Sequence, residues 1–215
     1  MKGLWRQIVT LGFHLLYNEL AWLYDPVSWL SSRGQWRRWQ HSIRPYLPAQ
    51  GRILEVACGP GHLLIDLAEA GYRAYGLDRS PAMLRLARRR LDRQGQPVRL
   101  CQAEAAALPF AAWSFAAVAV TFPTAFVYDP AWLEQLARVL QPGGRAIVVE
   151  MAHFVRRDPH SRCLEWLYRV TGQRGPAPDL VQLLAAAGLP AQRQEIQIQD
   201  TQVGLLIADK PNHSD

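Results

Sequence analysis

The hydrophobic pattern changes period near residue 52. Before it, Leu4, Ile8, Leu11, Leu15 and Trp22 recur at helical spacing, which predicts one or two amphipathic helices over residues 4–23. Asp25-Pro26 predicts an interruption. A second helical pattern runs from Ser28 to Ile43 and carries Trp29, Trp36 and Trp39; Pro45 and Pro48-Ala49-Gln50-Gly51 read as a connector. From Arg52 short apolar runs alternate with helical segments. The runs Ile53–Ala57, Arg73–Leu77, Val98–Cys101, Ala116–Thr121 and Arg145–Glu150 predict strands. A helix over His62–Ala70 stops at Gly71, a second opens with Ser80 as N-cap and Pro81 in its first turn, and a third opens at Asp129-Pro130 and ends at Gln141-Pro142-Gly143-Gly144. After Glu150 the pattern is less regular until a helix near Pro178–Ala187. Two alternating runs, Gln192–Ile198 and Gln202–Ala208, then predict an antiparallel hairpin at a sheet edge. Strand–helix alternation of this kind predicts an α/β fold: a doubly wound, mostly parallel sheet with helices on both faces.

Composition adds bounds. The 215 residues carry 24 Lys+Arg against 18 Asp+Glu, a net charge of +6. Nearly all the basic residues are arginines, and they are scattered apart from Arg37-Arg38, Arg88-Arg89-Arg90 and Arg156-Arg157. A nucleic-acid surface would cluster basic and aromatic residues on one face, so no nucleic-acid partner is expected. Cys58, Cys101 and Cys163 form no CxxC pair, and a reducing cytoplasm is the expected compartment. Leu4–Leu23 is interrupted by Arg6, His14, Asn18 and Glu19, so neither a spanning helix nor a signal peptide is expected. No His/Cys/Asp grouping has metal-ligand spacing, and no metal is expected.

The first strand run ends in Cys58-Gly59-Pro60-Gly61. In open α/β sheets ligands bind beyond the carboxyl ends of the strands, and glycine there lets backbone approach a ligand closely. Asp78, at the end of the next strand, follows Gly59 by 19 positions, a spacing that suits the hydroxyls of a ribose. A nicotinamide-binding turn would carry a third glycine where this chain has Leu64.

Four motifs in order, "LEVACGPG", "YGLDRSPAML", "AEAAALPF" and "RVLQPGGR", resemble those of the class I S-adenosylmethionine-dependent methyltransferases, and most of all the ubiquinone and menaquinone biosynthesis C-methyltransferases. The likeness spans residues 20 to 210 and includes "YDPVSWLSSRGQWRRW" before the core. It implies a Rossmann-like, seven-stranded sheet with an N-terminal helical lid over residues 1–48, a cofactor-binding core over 49–210 and a tail over 211–215.

It also implies roles. Asp78 accepts from the ribose hydroxyls of S-adenosylmethionine. Glu104, with the Ala105 amide, meets the adenine, flanked by Arg79 and Met83. Gly59 and Gly61 pass beneath the methionine part, with backbone groups of Ala57 and Cys58 near its ammonium, and Glu55 anchors the turn. Thr121 and Phe122 lie near the sulfonium. Four positions depart from the family pattern: Ala57 stands for the usual first glycine, Glu104 for the usual Asp, Ala106 for a common Glu, and Phe115-Ala116-Ala117 lacks the usual Asp after the Phe.

Methyl transfer needs a general base only for a poor nucleophile. His153, Tyr24 and Tyr128 are the candidates, each with a purely structural alternative. His62 either joins them or caps a helix locally. Trp22, Trp29, Trp36 and Trp39 either line a pocket for a small apolar, quinone- or lipid-like acceptor or dock the N-terminal helices on the core. A further reading sets Trp5, Phe13 and Trp22, with Lys2 and Arg6, against a membrane surface through residues 1–23. Beside the methyltransferase stand a non-catalytic S-adenosylmethionine-binding protein and, more distantly, a nicotinamide-dependent oxidoreductase.

Overall fold

Strand β1 (Arg52–Val56) lies at the centre of a seven-stranded sheet. It pairs in parallel with β2 (Arg73–Asp78) on one side and β4 (Phe115–Thr121) on the other. β3 (Leu100–Gln102) continues outward from β2, and β5 (Leu140–Phe154) from β4, both in parallel. β7 (Thr201–Asp209) and β6 (Ala191–Ile198) close the far side as an antiparallel pair, giving the order β3-β2-β1-β4-β5-β7-β6. The chain winds one way from β1 and then the other, so the order reverses between β1 and β4, where such sheets open a ligand crevice. This computed structural model describes residues 2–155, 158–171 and 177–212, with side chains from residue 7 onward.

Alternation along the strands divides the core in two. Ile53, Ala117, Ala119, Ile147 and Val149 face α3 (Trp36–His41), α4 (His62–Glu69) and α7 (Pro159–Val170). Leu54, Val56, Val118, Val120 and Val148 face α6 (Pro130–Val139) and α8 (Leu180–Ala186). Helix α5 (Pro81–Arg93) starts where predicted: Ser80 accepts from the Met83 amide, and Pro81 needs no donor in the first turn.

The N-terminal region differs from the sequence expectation. α1 (Lys2–Tyr17) is followed by a 3₁₀ turn at Ala21–Leu23, but Asp25-Pro26 does not interrupt; it lies inside the first turn of α2 (Tyr24–Ser32). Pro26 is tolerated there because the first-turn amides have no intrahelical partner. The break falls later, at Arg33 (φ 54°) and Gly34 (φ 75°), which divides the expected Ser28–Ile43 helix into α2 and α3. α7 replaces the expected irregular stretch, capped by Asp158 with Pro159 in its first turn.

These helices are fastened to the core by polar side chains. Arg37 and His41 both meet the buried Asp66 carboxylate. The Trp39 indole, almost fully buried, donates to Thr201 Oγ1 at 2.9 Å, and Gln35 donates to Asp200 at 2.6 Å.

Candidate functional site

The turn after β1 is built from left-handed residues: Ala57 (φ 57°), Gly59 (φ 52°) and Gly61 (φ 78°). Each position has its own reason. A Cβ on Gly61 would stand 2.9 Å from that of Ala87, so this glycine lets α4 and α5 pack. A Cβ on Gly59 would meet nothing within 4 Å, so the backbone there faces open space. Ala57 is exposed, and its left-handed backbone carries a methyl. Ala57→Gly is expected to stabilise the protein by about 0.5–1 kcal/mol, the strain relieved less the added unfolded-state entropy; urea denaturation would read it, and a loss of stability would contradict it. Cys58 is buried among Leu63, Leu64 and the other residues of its cluster, and burial with the nearby Glu55 and Asp78 charges pushes its thiol well up, so it is no nucleophile.

Asp78 closes the turn from β2. One of its oxygens accepts from the Gly59 amide and the other from the Ser80 amide, each at 2.8 Å. Each keeps a lone pair for a further donor. Burial raises its carboxyl above the usual range, against the pull of those amides.

Glu55 is the unusual group. It is 1% exposed, and neither carboxylate oxygen has a partner among the described residues. Burial, then the Asp78 and Asp66 charges, pushes its carboxyl well up. An unpartnered acid at this depth is a candidate partner for a cationic or donor ligand.

The N-terminal helices cover this end of the sheet. Ser80 Oγ donates to the Tyr17 carbonyl at 2.5 Å, and Ala21 packs on Ala82 and Met83, with Tyr17 and Tyr24 beside them. Burial, then the Tyr17, Asp25, Asp78 and Glu55 groups, pushes the Tyr24 phenol well up; it stays protonated and can donate but not act as a base at neutral pH. Asp25 meets Arg90, and His62 Nε2 lies 3.0 Å from the Asp25 carboxylate and 2.8 Å from Arg90. Against the penalty of partial burial, the hydrogen bond from His62 and the Arg90 charge hold the Asp25 carboxyl below its usual range. Its contribution is therefore present above the unfolded pKa and lost as pH falls through the folded one. Asp25→Asn is expected to speed proteolysis and amide exchange within residues 7–32 while changing global stability by less than about 1 kcal/mol; unchanged exchange would deny the latch.

At β4 the Thr121 hydroxyl accepts from Gln40 at 3.1 Å, and Phe122 packs on Trp36 with ring centroids 4.3 Å apart. Gln40 Oε1 is buried without a partner among the described residues. Because Glu55 pairs with Ala119, Glu55, Thr121 and Gln40 share one face. The sequence reading passed over Gln40 and Tyr17; a polar Gln within the Trp36–Trp39–Ile43 apolar stripe was the available signal.

The remaining candidates lie farther out. Arg79 and Glu104 are exposed at the ends of β2 and β3, with Ala105 half-buried beside them. Tyr128 packs with the opposite core cluster, where burial and the Glu150 carboxylate raise its phenol. His153 lies between buried Ala152 and Phe154 on β5, so its side chain points to the other face from Glu55 and Gln40. No group of His, Cys, Asp and Glu able to hold a metal occurs among the described residues.

A family profile described as a methyltransferase domain matches residues 53–144, which span β1 to the start of β5. The demethylmenaquinone methyltransferase of Thermus thermophilus is 36% identical over 165 residues, 74% of this chain and 72% of that protein. A demethylmenaquinone methyltransferase of Renibacterium salmoninarum is 34% identical over 64% of this chain, which spans only 58% of that relative. Among solved structures, geranyl diphosphate C-methyltransferase of Streptomyces coelicolor superposes with a TM-score of 0.62 at 16% identity, over 80% of this chain and 78% of that one, a likeness of fold. A glycine turn and an acidic residue on adjacent strands, a reversed strand order and a relative of this identity and coverage together give one assignment: the chain belongs to the class I S-adenosylmethionine-dependent methyltransferases.

Proposed function

We propose that the protein transfers a methyl group from S-adenosylmethionine to a small, apolar, quinone-like acceptor. The observation that carries the cofactor side is the partnerless Glu55 carboxylate at the glycine turn, because a ligand with an ammonium and a sulfonium supplies the positive charge that this acid lacks. The relatives that act on demethylmenaquinone support the acceptor class. The bound cofactor supplies an activated methyl on a good leaving group.

This chain's residues do the rest. Glu55, Asp78 and the open backbone at Gly59 hold the cofactor. Glu104, Ala105, Arg79 and Met83 flank its adenine end. Ala57, Cys58 and Gly61 shape the turn. Thr121, Phe122 and Gln40 border the transfer region, and the aromatic cover of Tyr17, Tyr24, Trp36 and Trp39 excludes water and orients the acceptor. Tyr24 is assigned as a hydrogen-bond donor to the acceptor; Tyr128 and His153 are assigned no proton transfer in this reading. Residues 1–48 serve as the cover and 49–210 as the core. Incubation with S-adenosylmethionine and a reduced demethylated naphthoquinone should yield S-adenosylhomocysteine and a singly methylated product by mass spectrometry. Binding of S-adenosylhomocysteine without turnover on quinols, phenols and fatty acids would overturn the catalytic reading and favour a cofactor-binding protein.

A further inference from the structure

Exposed apolar side chains on this molecule are concentrated. Of the eleven large hydrophobic side chains that stand exposed among the described residues, ten lie in two segments: Ile8, Leu11, Leu20, Trp22, Val27, Trp29 and Leu30 in the N-terminal helices, and Val155, Trp166 and Leu167 at α7. Trp22 is 66% exposed, Trp29 65% and Trp166 59%. Scattered single residues of this kind need no explanation, but tryptophans gathered on adjoining helices do.

The segments adjoin. The Tyr168 hydroxyl of α7 donates to the Ser31 carbonyl of α2 at 2.8 Å, and Arg33 Nη1 reaches Asp158 at 2.9 Å and Ser161 at 3.1 Å.

Charge follows the same division. Residues 1–48 hold six basic residues against Glu19 and Asp25, and residues 155–174 hold five arginines against Asp158 and Glu165. The rest of the chain has thirteen basic and fourteen acidic residues, so the net positive charge is concentrated in residues 1–48 and 155–174. In the first of these Arg33, Arg37, Arg38 and Arg44 follow the exposed stretch, with Arg33 paired to Asp158 and Arg37 to Asp66, so the α7 segment brings most of the positive charge to the tryptophans. Tryptophan rings belong at the boundary between headgroup and acyl chain, and basic side chains are drawn to anionic headgroups. No described helix is long and apolar enough to cross a membrane. One sequence reading set residues 1–23 against a membrane through Trp5, Phe13 and Trp22; of these Trp22 is exposed, Phe13 stacks on Tyr17, and the side chains of Lys2, Trp5 and Arg6 lie outside the described residues.

We propose that α1, α2 and α7 form one docking face for an anionic lipid surface, on which the protein lies without spanning it. Tyr17, Ala21 and Tyr24 of the α1–α2 part of this face lie over the end of the sheet that carries Asp78 and Glu55, so docking would bring the covered site to the bilayer that dissolves an apolar acceptor. That consequence rests on the reaction assigned above; the docking itself does not.

The test is co-sedimentation of the full chain with vesicles of phosphatidylcholine alone and of phosphatidylcholine mixed with phosphatidylglycerol. Binding should favour the mixed vesicles by about tenfold or more at low salt and weaken as salt rises. Trp22→Ser/Trp29→Ser/Trp166→Ser should lower it by about tenfold or more while S-adenosylhomocysteine affinity stays unchanged. If that variant does not fold, Val27→Ser/Leu30→Ser reads the same surface without touching an indole. Equal or absent binding by the folded wild type would overturn the proposal, as would wild-type binding by a folded variant. A dimer in light scattering that the substitutions dissolve, with no vesicle binding, would assign the face to a second copy of the chain and also overturn it. Absent docking with intact turnover would leave the reaction standing.

Discussion

Glu55→Met should raise the thermal midpoint of the ligand-free protein and lower its affinity for S-adenosylhomocysteine by at least about tenfold. The two effects have one cause. In the free protein Glu55 is a buried acid without a hydrogen-bond partner among the described residues. Leaving such a group unsatisfied costs about 1–3 kcal/mol, and an unbranched apolar side chain of similar size removes the cost. For a chain of this length each kcal/mol moves the midpoint by about 2–4 °C. When the ligand's ammonium supplies the missing charge, the same carboxylate becomes favourable, and its loss is worth about 1.5–3 kcal/mol. Differential scanning fluorimetry and calorimetric titration read the two arms. A higher midpoint with unchanged affinity would make Glu55 a packing defect without a binding role. A lower midpoint would mean that the carboxylate has a partner after all.

The pH profile separates these outcomes further. Burial, followed by the Asp78 and Asp66 charges, raises the Glu55 pKa above its ordinary 4.5. The folded protein therefore keeps a proton that the unfolded chain releases. Glu55's contribution to stability is complete below pH 4.5 and is lost as pH climbs through the folded value. Stability of the free wild type should decline over that window, and Glu55→Met should flatten the decline. A residual slope should remain, because Asp78 is shifted in the same direction from 3.8. Cofactor affinity should move oppositely, tightening as pH rises and Glu55 ionises.

Much of this site is local in sequence, and that part was legible. An apolar run stopping at Gly59-Pro60-Gly61 marks a strand end whatever surrounds it, and Ser80-Pro81 and Asp129-Pro130 mark helix starts by capping alone. Asp158-Pro159 carries the same signature as Asp129-Pro130, yet the charges of Arg156, Arg157, Arg162 and Glu165 blurred the apolar period that would have extended it into α7. The tryptophans were legible only in part, since the sequence left open whether they line a pocket or dock the helices. Trp22, Trp29 and Trp36 are spaced by seven, which on a continuous helix puts them on one face. The left-handed pair Arg33 and Gly34 redirects the chain, so Trp22 and Trp29 face outward while Trp36 packs on Phe122 and Trp39 is buried. Least legible were contacts between distant positions. Asp25 with Arg90 is 65 residues apart and Gln40 with Thr121 is 81, and no local pattern relates either pair.

Asp78→Ala should abolish measurable cofactor binding, a loss of about a hundredfold or more, with a smaller loss of stability. The carboxylate holds two parts of the site at once. It fixes the turn through the Gly59 and Ser80 amides, and in the proposed reading its remaining lone pairs accept from the ribose hydroxyls. Hydrogen bonds to a charged group are worth about 1.5–3 kcal/mol each, so losing two from a ribose passes a hundredfold. In the free protein two amides lose their acceptor, which destabilises, but a buried acid raised above its usual range is also removed, which stabilises, so the net loss of stability should stay below the loss of affinity. Asp78→Asn divides the roles: its carbonyl accepts from one amide while its NH₂ opposes the other, so affinity should fall without full collapse of the turn. Calorimetric titration of S-adenosylhomocysteine into wild type and both variants, with NAD in parallel, reads the difference. Wild-type binding that Asp78→Ala leaves intact would move the ribose away from β2 and unseat the site. Binding of NAD in place of S-adenosylhomocysteine would return the chain to the oxidoreductase reading despite Leu64 at the third glycine position, where a dinucleotide turn keeps glycine for close packing of helix on strand and this side chain is buried against Gly76.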